Sequence, residues 1–497
     1  MLPPSPIPAS VVVLTRFGGA EVFLVQRSPA LRFLPGFWAF PGGSVDPVDR
    51  RGAVKEPLAL ARSAARELFE ETGVAVPGLA PGGAREALRR ELLAAEPRSE
   101  RWASLPEDVA WFDAWQPFAE VVTPRFSLRR FRANFFHLEL PAGEEPAIVA
   151  GELVDGRWVD PAGELARWSR GDLLLAPPAL YLLRRMVGRS LGEALELATR
   201  STRAIAEGRE VQQAEHAPGV IAIPLATETL PPATTTNAYL LGIERFYVVD
   251  PATREPSEQA LLFAELEARL ARGHRLEGVL VTHHHPDHTG AVEATAQRFG
   301  CAVLAHAETF RRTTFEGVER RALVGGERLE LGLAPGGAPW TLEVLHTPGH
   351  APGHLAFVES HARSAIVGDL VSTLSTIVID PEDGDLAQYL ESITRVRDHG
   401  IGTLFPAHGM PAPAGTALLT RYLDHRRARE AQLVAALSDE PRTAAELVPL
   451  VYSDTDRRMW PLAERSLLSG LRKLASEQRA HAAATPDGRT AWRRSHP

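Results

Sequence analysis

The sequence predicts a multidomain protein of mixed α/β and α+β class, and three observations carry that expectation. The chain has 497 residues, too many for one hydrophobic core, so about two to four domains are expected. Strand-like runs alternate with helical patterns on both sides of a polar stretch, EGREVQQAEHAPG, at 207–219. After residue 420 the strand pattern gives way to three helical patterns and a hairpin.

Taken in order, residues 1–206 hold the strand-like runs SVVVLTR, EVFLVQR and ANFFHLEL and a strong helix over 57–72. Two Gly/Pro-rich patches, at 77–84 and 140–147, read as loops. An insertion at 85–115 starts helical, a helical stretch at 179–207 closes the unit, and 207–219 reads as a linker. From 220 to 420, short β-branched runs (GVIAIPL, NAYLLG, RFYVVD, GVLVTH, AVLAH, TLEVLHT, HLAFV, SAIVGD) alternate with helices at 257–272 and 289–299. Residues 421–497 give the helical patterns HRRAREAQLVAAL, TAAELVPLVY and AERSLLSGLRKLASEQ. A hairpin with an Asp-Gly turn follows, which completes the outline of a winged helix.

Composition narrows the function. The net charge of −8 argues against indiscriminate nucleic-acid binding by the whole surface, although residues 421–497 carry 14 basic against 10 acidic residues, a local +4. Lys55 and Lys473 are the only lysines, an arginine bias that suggests a GC-rich bacterial genome. Cys301 is the single cysteine, which excludes an internal disulfide framework and a thiolate-based structural zinc site. Any metal must therefore use His, Asp or Glu. No apolar run reaches membrane-spanning length and no basic region precedes the first apolar stretch, so a cytoplasmic enzyme without membrane attachment is expected.

Four of the ten residues in VTHHHPDHTG, 281–290, are histidine. The cluster follows the buried-strand pattern GVLV, and so lies on a loop at the carboxyl end of a strand, where α/β proteins place their chemistry. Imidazole and carboxylate donors from one short segment suit zinc or another borderline divalent metal. Downstream, LEVLHTPGH delivers His350, SAIVGD delivers Asp369 and LFPAHG delivers His408, each at a strand end. Together these pieces resemble the metallo-β-lactamase superfamily, whose HxHxDH signature and distant His, Asp and His are all matched. The resemblance implies an αββα sandwich with two zinc ions. His283, His285 and His350 would hold the first, Asp287, His288 and His408 the second, and Asp369 would bridge them. Asp250 matches an early aspartate that orients ligands. His284, His306 and His346 are expected to be loop or packing residues, and His354 a candidate to touch the site. The C-terminal half resembles the branch containing the mitochondrial lactamase-beta-like endoribonuclease and fungal polyketide thioesterases. It departs where VVDPATREP replaces a VDTG turn. The interval from Asp369 to His408 leaves no room for the cap domain of β-CASP nucleases.

A second cluster lies in PLALARSAARELFEETG, a helix expected to start at Pro57 and stop at Gly73. Glu67, Glu70 and Glu71 fall at i, i+3 and i+4 and share one helix face, which repels unless a cation offsets the charge. Oxygen ligands of this kind suit Mg²⁺ or Mn²⁺ held with substrate phosphates. With FPGGSVD upstream, RELFEETGV resembles the core of the Nudix box, which implies an α/β/α sandwich. Gly43 to Arg66 spans 23 positions, longer than the family interval. Strict counting places Gly52 and Leu58 where the box has glycine and its first, structural glutamate, with Glu56 nearby. The N-terminal half is similar to the Nudix subfamily that cleaves coenzyme A and acyl-CoA, and Arg125, Arg129, Arg130 and Arg132 are candidate phosphate contacts.

The expectation is a bifunctional metal-dependent hydrolase. One head would split a diphosphate and the other would hydrolyse a thioester, ester or phosphodiester. The alternative is an RNA- or nucleotide-processing hydrolase with single-stranded RNA on the winged helix. That domain is equally open to a packing role or to self-association into a homo-oligomer. A third option, a non-enzymatic regulatory binder, fits poorly with two complete metal sets.

Overall fold

The computed structural model describes residues 4–31, 33–52, 55–79, 85–94, 100–485 and 488–495. It divides into two compact units, Leu2–Ile221 and Ala222–Pro497.

In the first unit the strands are β1 (Ile7–Arg16), β2 (Glu21–Arg27), β3 (Trp38–Ala39), β4 (Gly42–Ser44), β5 (Ala119–Val122), β6 (Phe131–Glu139) and β7 (Leu153–Val159). The helices are α1 (Glu56–Thr72), α2 (Arg85–Ala94), α3 (Glu100–Ala103), α4 (Val109–Ala114), α5 (Pro161–Ser169), α6 (Pro177–Met186) and α7 (Leu191–Ala206). Strands order as β3-β2-β1-β6-β5, with β4 on β1 and β7 on β2. Strand β1 runs parallel to β6, from Ile7 opposite Phe131 to Thr15 opposite Glu139. Both faces of β1 are covered, so its apolar residues run on without a polar alternate. Val12 and Leu14 pack with Leu60, Ala64 and Leu68 of α1, while Val13 packs with Leu180 and Leu183 of α6. This is the expected α/β/α sandwich.

Two expectations for this unit change. The helical stretch at 179–207 is two helices, because Gly188 turns at φ +70° and Ser190 opens α7 with a capping box to Glu193. The polar stretch at 207–219 contains a strand, β8 (Ala214–Ala217), and His216 within it is buried beside Phe37 and Phe126. Burial lowers its pKa to about 4, so the neutral ring packs as an apolar one.

Helix α1 starts with Pro57 in its first turn and stops at Gly73, whose φ of +77° lets its N–H donate to Phe69 O at 2.8 Å. Arg66 on this helix is fully buried, and Asp49 meets it from the enlarged loop with Nε–Oδ1 at 3.0 Å and Nη2–Oδ2 at 2.8 Å. Asp49 therefore supplies the structural carboxylate that the box sequence lacks at Leu58. Glu56 instead pairs with Arg50 near the surface.

The second unit begins with β9 (Val220–Ala226), β10 (Thr235–Gly242), β11 (Arg245–Val249), α8 (Pro256–Ala271), β12 (Arg275–Leu280), α9 (Pro286–Thr289), α10 (Val292–Phe299), β13 (Val303–His306), α11 (Ala307–Arg312) and β14 (Arg320–Leu323). A second sheet follows from β15 (Arg328–Leu333), β16 (Pro339–His346), β17 (Leu355–Glu359), β18 (Ala365–Gly368) and β19 (Leu404–Pro406), with α12 (Leu386–Asp398) before β19. The strand orders are β14-β13-β12-β11-β10-β9 and β15-β16-β17-β18-β19. The sheets meet where Tyr239 of β10 packs on Phe405 of β19 and donates its hydroxyl to Pro406 O at 2.7 Å. Helix α10 packs with Val279 and Val303 of the first sheet, and α12 with Ala365 and Val367 of the second.

The chain continues through α13 (Gly415–Ala436), β20 (Arg442–Thr443), α14 (Ala444–Val451), α15 (Trp460–Ser476), β21 (Ala480–Ala484) and β22 (Thr490–Arg494), the last sheet ordered β20-β22-β21. This is the expected winged helix, its core built on Leu447, Leu467, Leu471 and Trp492. The expected boundary at 420/421 falls inside α13. Leu418 and Leu419 of that helix join the α12 core and Leu433 joins the winged-helix core, so one helix serves both. Asp487 of the expected Asp-Gly turn lies outside the described residues. Among the described residues no helix is long and apolar enough to cross a membrane.

The Arg66–Asp49 pair yields a stability prediction. Asp49→Ala removes two charge-assisted hydrogen bonds to the buried guanidinium, which keeps only the carboxylates of Glu67 and Glu70, and should lower the unfolding free energy by about 3 kcal/mol. Glu56→Ala, which breaks a partly exposed pair, should change it by less than about 1 kcal/mol. Urea unfolding of both variants checks this.

Candidate metal centre and carboxylate helix

Strand β12 ends at Leu280, and the buried residues Val281, Thr282 and His283 carry the chain into α9. Pro286 starts that short turn and places Asp287 and His288 on it. His350 arrives from β16 through a turn at Gly349. Gly349 has φ +127°, and a Cβ there would stand 2.2 Å from Tyr389 N, so only glycine lets this turn seat against α12. Asp369 follows β18, and His408 follows β19.

These elements bring the side chains together in two sets. His285 Nδ1 lies 3.0 Å from both His283 Nε2 and His350 Nε2. His408 Nε2 lies 3.6 Å from Asp287 Oδ2, and His288 Nε2 lies 4.0 Å from Asp287 Oδ1. Asp369 stands between the sets. Its Oδ2 is 3.5 Å from His350 Nε2, and its Oδ1 is 3.3 Å from His408 Nε2 and 3.6 Å from His288 Nε2.

A second ring of contacts sets the tautomers, because a histidine that donates through one nitrogen turns the other's lone pair inward. His288 Nδ1 donates to Asp250 Oδ2 at 2.8 Å, His408 Nδ1 to Thr235 O at 3.0 Å and His350 Nδ1 to Val378 O at 3.1 Å. His285 Nε2 donates to Asp383 Oδ2 at 3.0 Å. Thr282 Oγ1 donates to Asp250 Oδ2 at 2.6 Å and takes the Nδ1 proton of His283 at 3.0 Å. Asp250 thus orients His288 and Thr282, and the substituted loop after it is tied back by Ala291 N donating to Pro251 O at 2.8 Å. His354, fully buried, accepts from the backbone N of Asp369 at 3.1 Å and so holds that residue rather than lining the centre.

Electrostatics follow the same division. Burial, then the neighbouring histidines, hold His283 well below the ordinary imidazole value, and burial beside His285 lowers His350 to about 4. Both stay neutral near pH 7 and keep a lone pair to donate. Burial acts against charge on His288 and His408 too, but Asp369 and Asp287 beside both, with Asp250 bonded to His288, together outweigh it and raise both. His288 Nε2 and Asp369 Oδ1 are buried without a hydrogen-bond partner, a costly arrangement unless a cation lies between them. Neutral imidazoles, carboxylates and these two orphaned atoms fit a pair of divalent cations, with nitrogen-rich donors that suit zinc.

His284 lies on the loop as expected, and its Nε2 stands 3.4 Å from Asp383 Oδ2, which groups it with His285 and Asp383. His306 and His346 stack on each other at 4.2 Å, outside the metal groups. Sequence reasoning missed Asp383, because DPEDGD reads as an ordinary acidic turn and nothing in its spacing points to His285.

In the first unit, Glu67, Glu70 and Glu71 lie on α1 as expected. Arg66 Nη1 is 2.9 Å from Glu67 and 3.2 Å from Glu70, while Glu71 Oε2 accepts from Gly42 N at 2.8 Å. A Cβ on Gly43 would meet the Glu67 carboxyl at 2.5 Å, which explains the paired glycines. Burial of its carboxyl, then repulsion from Glu67, pushes Glu71 well above the usual carboxylate range. Among the described residues, the groups close enough to share one ion all lie in the second unit, and these three glutamates stand further apart. Of the arginines, Arg130 donates to Thr123 O at 2.9 Å and Pro4 O at 3.2 Å, so its guanidinium is engaged by backbone rather than presented to phosphate. Arg129 lies over Phe131 and Arg132 is 3.9 Å from Glu120, while Arg125 is close enough to lower the pKa of Arg130. Arg27 of β2, which sequence reasoning passed over, is half-buried, and burial lowers its pKa while Glu71 and Glu152 act to raise it.

Comparison with known proteins places three domain families on the chain. A NUDIX domain matches residues 5–169, a metallo-beta-lactamase superfamily domain 231–408 and a beta-lactamase associated winged helix domain 443–492. The chain is 27% identical over 244 residues to the beta-lactamase-like protein 2 homolog of Caenorhabditis elegans, covering 49% of this chain and 79% of that protein. It is 27% identical over 264 residues to the atrochrysone carboxyl ACP thioesterase of Aspergillus chevalieri, covering 49% and 78%. A beta-lactamase domain protein from Burkholderia ambifaria superposes with a TM-score of 0.50 at 22% identity, over 57% of this chain and 94% of that one, which shows the shared fold.

Asp369 reaches both donor sets, so its loss should be felt by both cations. The protein stripped and reloaded with Zn²⁺ should carry about two equivalents, and Asp369→Ala about one or fewer, as read by elemental analysis. Full loading of the variant would remove Asp369 from the ligand set.

Proposed function

We propose that this protein, a multidomain hydrolase joining a Nudix domain, a metallo-beta-lactamase domain and a winged-helix domain, carries two independent metal-dependent heads. The observation that carries the reading is Asp369, buried between two sets of imidazoles with Oδ1 and the facing His288 Nε2 both lacking partners. His283, His285 and His350 would hold one zinc, Asp287, His288 and His408 the other, with Asp369 within reach of both donor sets. When bound, two such cations would acidify water and stabilise negative charge on the group under attack. Asp287, with both oxygens facing the imidazoles and the larger exposure of the two site aspartates, is placed to accept the proton released by the attacking water.

The substrate of this head is a thioester, ester or phosphodiester. The name of the fungal relative, an acyl-carrier-protein thioesterase, favours the thioester. In the first head, Glu67, Glu70 and Glu71 bind Mg²⁺ or Mn²⁺ together with the phosphates of a diphosphate substrate, coenzyme A, acyl-CoA or a nucleoside diphosphate derivative. Arg66 pairs with Glu67 and Glu70 and aligns them, and Arg27 is a nearby cation for phosphate. The local charge of +4 at the C-terminus supports a second reading, in which the second head cuts single-stranded RNA.

The donor chemistry differs between the heads, so their activities should separate. Glu70→Gln should abolish Mg²⁺-dependent diphosphate cleavage and leave the second activity within about a factor of two, since only one head's transition state loses an interaction. His285→Ala should do the reverse. Both variants are assayed on acyl-CoAs, nucleoside diphosphate derivatives and single-stranded RNA in one buffer holding both metals. If either substitution silences both activities while circular dichroism shows an intact fold, the two-headed reading fails. Cleavage of RNA alone by the second head would select the second reading.

A further inference from the structure

Between β18 and α12 the chain crosses Ser375–Asp383 without regular strand or helix, and this strap is gripped on both sides. On its outer side, Ser375 O is 2.7 Å from the Tyr422 hydroxyl and Ile377 O accepts from Arg426, both on α13. Ile379 O accepts from Ser469 Oγ at 2.6 Å, Asp380 pairs with Arg465, and Pro381 O accepts from Arg472, all on α15 of the winged helix. On its inner side, Val378 O accepts from His350 Nδ1 at 3.1 Å and Asp383 Oδ2 from His285 Nε2 at 3.0 Å. The alternation has a simple cause: in extended backbone successive groups face opposite ways, so Ile377, Ile379 and Pro381 turn to the helices while Val378 turns to the centre.

We propose that the winged helix is a working part of the metal centre. Through the strap, α15 sets the orientation and tautomer of His285 and His350, and Asp383 is the positioning residue at the end of that chain of contacts. The proposal rests on the reading that these histidines hold a cation. Arg465, Ser469 and Arg472 fall at i, i+4 and i+7, a single face of α15. That face contacts the strap through all three side chains, with Ser469 buried and the two arginines exposed. Polar groups that orient ligating histidines typically govern metal affinity by about 10–100-fold.

The test is Zn²⁺ affinity of the full-length protein, measured by competition with a chromophoric chelator. Asp383→Ala should weaken the tighter site by about 10–100-fold, and Asp383→Asn should recover part of the loss because its amide oxygen still accepts the His285 proton. Ser469→Ala combined with Arg472→Ala should weaken affinity in the same direction with the circular dichroism spectrum unchanged. Arg458→Ala, on an exposed winged-helix residue paired with Asp456, should have no effect. If wild type binds Zn²⁺ and both Asp383→Ala and the double variant stay within about twofold of it, the proposal is overturned. If wild type binds no Zn²⁺, the metal reading itself fails. Single-stranded RNA binding that Arg465→Ala and Arg472→Ala abolish, at unchanged Zn²⁺ affinity, would assign this face of α15 to nucleic acid and overturn the proposal as well.

Discussion

Asp369 is a carboxylate taken out of water, with Oδ1 left without a hydrogen-bond donor and imidazole nitrogens on either side. Burying such a group is unfavourable unless opposite charge is supplied. The second unit is organised around that requirement. Its two sheets deliver the histidines from strand ends, and His354 pins the Asp369 backbone from beneath. Thr235 O, Val378 O, Asp250 and Asp383 then turn each imidazole so that its free nitrogen points inward. Burial holds His283 and His350 neutral, while Asp369 is held ionised by His408 and His288 on either side of it.

The first unit solves a related problem with protein charge. Arg66 is buried, and burial would discharge it, but Asp49, Glu67 and Glu70 surround it and keep it cationic. One guanidinium therefore both locks the enlarged loop to α1 and orients two of the glutamates that the proposed cation needs. Glu71 stands apart from this clamp, held by the Gly42 N–H and pushed toward its protonated form. The two units thus carry different donor sets, carboxylates on a helix face in one and imidazoles on strand-end loops in the other.

The winged helix gains a role that its local charge did not suggest. A net charge of +4 and a helix-helix-helix-hairpin outline are compatible with nucleic-acid binding, and on α15 Ser469 and Arg472 also donate to backbone carbonyls of the strap. Helix α13, shared by two cores, joins the domain continuously to the sheet that carries Asp369 and His408.

Much of this was legible in the sequence because it is local. The HxHxDH run sits on one strand-end loop, and the three glutamates repeat at helical spacing. His350, Asp369 and His408 each follow an apolar run that ends a strand. Pro57 and Gly73 bound α1 by their own backbone preferences. Periodicity and short motifs report such features directly, since each depends on a few neighbouring residues. What tertiary structure decided is non-local. Asp49 replaces a missing glutamate only because the enlarged loop folds back on Arg66, 17 positions away. Asp383 meets His285 across 98 residues, and Ser469 meets Ile379 across 90. Arg130 was a phosphate candidate from its place in an arginine-rich run, and only the fold shows that its guanidinium also donates to Thr123 O and Pro4 O. A sequence specifies which groups a segment carries, but hydrogen-bond partners far along the chain are set by how sheets and helices stack, and no local pattern records that stacking.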